Sequence, residues 1–384
     1  VLGQDLFAGT YARGGAGTAV TAEAWLEAMV DAEAALAAAC VDEGLISAQA
    51  GEAIQQALQQ GPFDAAAIAA EAGNHATPVV PLVRELRARV GEQFADAVHL
   101  GATSQDIVDT AAMLVSLRAC QPILADAHAV MTASARLAFS HRNTPVAGRT
   151  LLQQALPTSF GLLAAGWMAG VQRATEELER VREGVLAVQM GGPVGGRPPQ
   201  VAARMAATLG LSEPLLPWHT DRTRVAQLAA ALGALAGALA KVARDVVLMA
   251  QSELGELREG AEGRGGSSAM AHKHNPVASV SVIACAHRAP GLVASIFAAM
   301  EQELQRAAGA WQSEWGTLSD LLTLTGSAAA WCADLLENLE VDPERMRENL
   351  ARLAAAGVAA AEHPEEHLAG AAELIDRALA EVKL

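Results

Sequence analysis

The chain has 384 residues, enough for one large core or for two or three domains. Apolar residues make up 52% and charged residues only 18%, with few aromatics, a balance suited to long helices packed through Ala, Leu and Val. A formal net charge of −16 argues against a nucleic-acid partner and requires any site for an acidic ligand to be locally basic.

Cys40, Cys120, Cys285 and Cys332 stand far apart without a CxxC pair, so they read as small core residues in a reducing compartment. No signal peptide pattern opens the sequence, and no uncharged run of about 18 apolar residues suggests a membrane span. A cytoplasmic location without a membrane partner is therefore expected.

A Gly-rich stretch, YARGGAGTA, precedes a helix expected from Thr21, with Glu23 in its first turn, to about Cys40. Trp25, Met29, Ala32 and Leu36 mark its apolar face. Short helices follow over Ser47 to Gln59 and Phe63 to Ala72, and Gly73 and Pro78 break the chain before a restart at about Pro81. At Thr103, Ser104, Gln105 and Asp106 four hydrogen-bonding side chains stand together at the start of a helix faced by Ile107, Met113, Leu114 and Leu117. Such a start is both a cap and an anion-binding arrangement. A second helix is expected over Gln121 to Phe139.

His141, Arg142, Asn143 and Thr144 then precede Pro145, which pushes Thr144 into extended backbone. Arg149, Thr150, Gln153 and Gln154 cluster just beyond. Further helices are expected from Gly161 to about Glu183 and from Leu228, where Leu228, Leu232, Leu235, Leu239, Val242, Val246 and Met249 alternate at four and three and so share one stripe. Small residues beside the stripe leave room for more than one neighbour. After Pro276 come helical patterns over Val277 to Ala289, Leu292 to about Arg306 and Leu318 to Leu339, with Trp311 and Trp315 read as packing residues.

Between the stripe helix and Pro276 lies Gly260 to Asn275, GAEGRGGSSAMAHKHN, a polar loop joining long helices. Its glycines, Ser267, Ser268, the ammonium of Lys273 and the potential cations His272 and His274 suit the grip of a small polyanion. The whole chain has only three lysines, Lys241, Lys273 and Lys383, which sharpens the interest in this one.

HLGATSQDIVDT, GRTLLQQALPTSFG and GGSSAMAHKHNP, in this order, resemble the fumarase/aspartase superfamily over about Leu6 to Leu350, and most closely its cycloisomerase branch. WHTDR, Trp311 to Trp315 and VDPERMRENL are similar to the same branch. The resemblance implies an all-α, three-domain fold: an N-terminal helical domain (1–97), a central long-helix bundle (98–340) and a short or truncated C-terminal helical domain (341–384). It implies a homotetramer with a twenty-helix core, in which each active site draws its three polar segments from three subunits. It further implies addition or elimination beside a carboxylate of a small tricarboxylate, without cofactor or metal. The matching positions assign substrate binding to Thr103, Ser104, Gln105, Arg149, Gln153, Ser268, Lys273 and Asn275, and proton transfer to His141 or Ser267. Leu151 stands where many members have His, a histidine that the cycloisomerase branch also lacks, and Val280 replaces the acidic residue that fumarases place five after the motif Asn. An elimination lyase of the adenylosuccinate or argininosuccinate type, or a non-catalytic helical tetramer, are the alternatives within the same fold.

Overall fold

The computed structural model describes residues 6–267, 269–270 and 273–382. In chain order the elements are α1 (Ala8–Tyr11), α2 (Ala22–Asp42), α3 (Ala48–Gln59), α4 (Ala65–Ala72), α5 (Val79–Val90), α6 (Ser104–Ser140), β1 (Pro145–Thr150), β2 (Gln153–Ser159), α7 (Phe160–Gly184), α8 (Pro199–Leu209), α9 (Thr223–Met249), β3 (Leu257–Glu259), α10 (Val277–Ala298), α11 (Ala310–Glu337), β4 (Leu339–Val341), α12 (Pro343–Ala355) and α13 (Ala369–Glu381). The fold is helical, with two small two-stranded sheets, β1–β2 and β3–β4.

Five long helices, α6, α7, α9, α10 and α11, form the central bundle. Arg222, just before α9, pairs with Asp109 and Glu314, which gathers the first turns of α6, α9 and α11 at one end. Arg136 pairs with Glu337 and sets the last turns of α6 and α11 at the other. The seven-residue stripe of α9 is buried throughout, so it is already covered by α7, α10 and α11 of the same chain. The four cysteines are buried and free, and burial pushes the Cys120 thiol up to about 12.

Two expectations are corrected. The helix from Thr103 and the one from Gln121 are a single helix, α6, which runs through Pro122. Proline removes one backbone hydrogen bond and costs about 3 kcal/mol in a helix interior, but the helix on both sides of Pro122 is deeply buried, which holds α6 together. Pro290 likewise lies inside α10, and the helix expected up to Arg306 ends at Ala298. By length and composition alone, and allowing a charge or two, α6, α9 and α10 are each apolar enough to cross a membrane. In α6 and α9 that apolarity serves helix contacts, since more than half of the relevant stretch of each is buried inside the chain, against a third in α10.

Candidate active site

At the start of α6 the sequence TSQD splits by direction. Asp106 turns inward, where its carboxylate accepts the N–H groups of Thr103 (2.9 Å), Gly191 (3.0 Å) and Gly192 (2.9 Å) and contacts His219 Nε2 at 2.6 Å. A fully buried carboxylate at a helix N-terminus is stabilised by such donors and by the helix dipole. One side chain thus fixes the helix start, the MGGP loop and the WHT segment. Gln105 is also buried, and its amide donates to Asp109 and to the His219 carbonyl, which leaves Thr103 and Ser104 as the half-buried residues at the helix mouth.

Behind this mouth, Arg222 bonds Asp109 through two nitrogens (2.8 and 3.0 Å) and Glu314 through two more contacts (3.0 and 2.5 Å). Trp311 Nε1 donates to the same Asp109. Burial alone would lower the Arg222 pKa, but the two carboxylates outweigh it and hold the guanidinium above its ordinary value. The arginine is therefore a permanent buried cation that is fully spent on its neighbours.

The other end of α6 carries His141, whose carbonyl accepts the N–H groups of Thr144 and Gly161. Gly161 is required here, because a Cβ would meet the Ala138 carbonyl at 2.6 Å. The ring is half-buried, with Nδ1 3.1 Å from Thr144 Oγ1 and an edge contact to Phe160, and burial lowers its pKa below 6.5. From Pro145 the chain makes the antiparallel hairpin β1–β2, with Thr150 opposite Gln153 and the tip at Leu151 and Leu152. Arg149 follows a bulge at Gly148 and donates to Glu256 at 2.7 Å. Gln153 is exposed beside the tip. Arg149, Gln153, Lys241 and Asp245 line a cavity of about 900 Å³ between the hairpin and α9.

The Gly-rich loop has a closed neck. The Gly265 carbonyl accepts both the backbone N–H and the side-chain amide of Asn275, and Gly266 bridges to His274. Glu259 caps α10 by accepting the N–H groups of Ala278 and Ser279, both at 2.9 Å. Ser267 Oγ accepts from Ala269 N and Met270 N at 3.3 and 3.2 Å, donors that favour charge on that oxygen. Lys273 is exposed and makes no ion pair among the described residues, whereas Lys241 is paired with Asp245. Ser268 and His272 lie outside the described residues.

Within one chain, then, Arg149, Gln153, His141 and the Ser267 loop occupy one end of the bundle, while Thr103, Ser104 and Gln105 occupy the other. Sequence reasoning did not single out Asp106 as the centre of its cluster, nor Glu256, Asp245 or His219 as partners. WHTDR carried the last of these, but an isolated Glu in SELGEL offers no pattern to read.

Residues 14–291 match the lyase family Lyase_1. The chain belongs to this family, the fumarase/aspartase superfamily. It is 46% identical over 335 residues to a 3-carboxy-cis,cis-muconate cycloisomerase of Bradyrhizobium diazoefficiens, covering 85% of this chain and 74% of the relative. It is 41% identical over 350 residues to a nitrosuccinate lyase of Streptomyces davaonensis, covering 86% of this chain and 74% of that one. A solved structure of 3-carboxy-cis,cis-muconate lactonizing enzyme from Pseudomonas putida superposes with a TM-score of 0.89 at 33% identity, covering 98% of each chain.

Proposed function

We propose that this chain is a cycloisomerase converting 3-carboxy-cis,cis-muconate to 4-carboxymuconolactone, in the protocatechuate branch of the β-ketoadipate pathway. The observation that carries the reading is Leu151. It follows GRT directly, at the hairpin tip where many superfamily members place a histidine, and it is 97% exposed in the single chain. A hydrocarbon there cannot exchange protons, so the chemistry must do without that group. The 46% identity to a cycloisomerase supports the same reading.

In this reaction one substrate carboxylate oxygen adds to a double bond and the neighbouring carbon takes a proton. Before the proton arrives, the displaced electron pair rests on an adjacent carboxylate, and the site must hold that added charge. Lys273 supplies an unspent cation, Thr103 and Ser104 a helix N-terminus, and Arg149, Gln153 and Asn275 further donors. His141 is the proposed general acid, with Ser267 as the alternative donor and otherwise an orienting group. The working form is a cytoplasmic homotetramer with shared sites that needs no cofactor or metal.

The 41% identity to a nitrosuccinate lyase keeps an elimination reading in view. The test is the ultraviolet absorbance of 3-carboxy-cis,cis-muconate with the purified protein and a chelator, beside parallel assays with nitrosuccinate, adenylosuccinate and argininosuccinate. Loss of the diene absorbance with the first alone is expected. Fumarate from any of the others, with the diene untouched, rejects the cycloisomerase reading.

A further inference from the structure

The hairpin arginine is held by a residue that the site assignment omits. Glu256 sits in the turn between α9 and β3 with its carboxylate 0% exposed. Its Oε1 accepts from Arg149 Nη2 at 2.7 Å and from Asn349 Nδ2 of α12 at 2.8 Å, while its Oε2 has no partner among the described residues. The backbone is pinned as well: Glu256 N–H donates to the Met249 carbonyl, and its own carbonyl accepts from Asp342 N. On the facing side, the β1 bulge takes Arg149 out of the regular ladder, and a Cβ at Gly148 would meet the Leu156 carbonyl at 2.7 Å. Bulges re-aim a side chain in this way.

Electrostatics alone would not put a carboxylate here. In a chain of net charge −16, a site for a polycarboxylate gains from every unneutralised cation, and Glu256 cancels one. What the pair gains is direction. A guanidinium has five N–H donors in a fixed plane. Arg149 gives one to Glu256 and one to the Ala147 carbonyl at 3.3 Å, so three remain without a described partner on a residue that lines the 900 Å³ cavity. We propose that Glu256, itself held by Asn349 of the C-terminal segment, is a positioning residue that orients Arg149 to receive a substrate carboxylate. The proposal rests on the reading of Arg149 as a carboxylate-binding residue.

The two physical accounts predict opposite signs. If only charge matters, Glu256→Gln frees a full cation and KM falls. If Glu256 orients Arg149, KM for 3-carboxy-cis,cis-muconate rises about tenfold with kcat within about twofold, Asn349→Ala moves KM the same way by a smaller factor, and Glu256→Gln adds nothing in an Arg149→Gln background. A lower or unchanged KM in a folded Glu256→Gln protein, or additive effects in the double variant, overturns the proposal. Should Glu256→Gln fail to fold, Asn349→Ala carries the test, and an unchanged KM there overturns it. Phenylglyoxal labelling of Arg149, read by peptide mass spectrometry, needs no substrate: it is expected to speed up in Glu256→Gln and Asn349→Ala, and unchanged labelling overturns the proposal. Absence of wild-type turnover together with faster labelling would reject the substrate reading alone.

Discussion

Thr103 and His141 bracket one uninterrupted helix, the N-cap and C-cap residues of α6. Its 37 residues at 1.5 Å per residue separate them by about 55 Å. A six-carbon chain with three carboxylates cannot reach both in one subunit. Either only one of these residues meets substrate, or the site is completed by another chain.

The second alternative predicts complementation. Lys273→Ala and Thr103→Ala proteins, each nearly inactive alone, should regain activity when unfolded together and reassembled, with roughly a quarter of the sites restored if the two residues come from different chains of a random tetramer. Sedimentation of the mixed sample checks the assembly. Full activity in a demonstrated monomer would sink the idea.

Stability should depend steeply on the cluster at the mouth of α6. Arg222→Ala leaves Asp109 and Glu314 buried without their cation, and loss of one partner in such a cluster costs about 3–5 kcal/mol. Arg258→Ala removes an exposed pair with Glu340 and should cost less than about 1 kcal/mol. Urea unfolding midpoints of the two variants measure the difference.

The long helices were legible because their apolar spacing is regular, and the α9 stripe is buried residue for residue. Pro122 and Pro290 misled the reading, since local backbone chemistry says stop; at Pro122 packing on both flanks holds the helix together, while beyond Pro290 the helix runs on with only Ile296 buried. The hairpin was hidden for a different reason. Two-residue turns with positive φ usually announce themselves by Asn or Gly, but here Leu151 and Leu152 take φ of 50° and 63°. In the candidate site, motif residues could be named from sequence, while their partners could not: Glu256 lies 107 residues from Arg149 and His219 lies 113 from Asp106, and no local pattern encodes that distance.

Those two leucines make a prediction of their own. Positive φ costs a non-glycine residue about 1–2 kcal/mol, so Leu151→Gly and Leu152→Gly should leave thermal stability unchanged or raised. If the tip lies in a shared site, turnover should fall at least tenfold in the same proteins. A gain in stability with full activity would assign the tip no part in the site.

Lys273 should act through charge. It is exposed and free of ion pairs among the described residues, so its ammonium is available to a trianion. Lys273→Ala is expected to lower kcat/KM by about a hundredfold or more, and Lys273→Arg to recover only part, because a planar fork does not replace a compact charge. An unchanged dissociation constant for substrate in the alanine variant contradicts a binding role.

The general acid is decided by pH. Burial lowers the His141 pKa below 6.5, so in the free protein its imidazolium, the form that can give a proton, is lost as pH rises through that lowered value. With His141 as acid, kcat/KM should decline above a pKa lower than 6.5. The limb in kcat should lie higher, since a bound trianion favours the charged ring. His141→Gln should lose about 10²–10⁴ in kcat with modest change in KM, and the limb should vanish with it. Ser267 makes a different prediction: its Oγ, held by two N–H groups, has no titration in this range, so a serine donor leaves the limb in place when His141 is replaced. Profiles for His141→Gln and Ser267→Ala, measured side by side on assembled protein, separate the two. If His141→Gln keeps near-wild-type turnover while Ser267→Ala is inactive, the proton comes from the Gly-rich loop, and the half-buried ring of His141 serves to fix the turn into the hairpin.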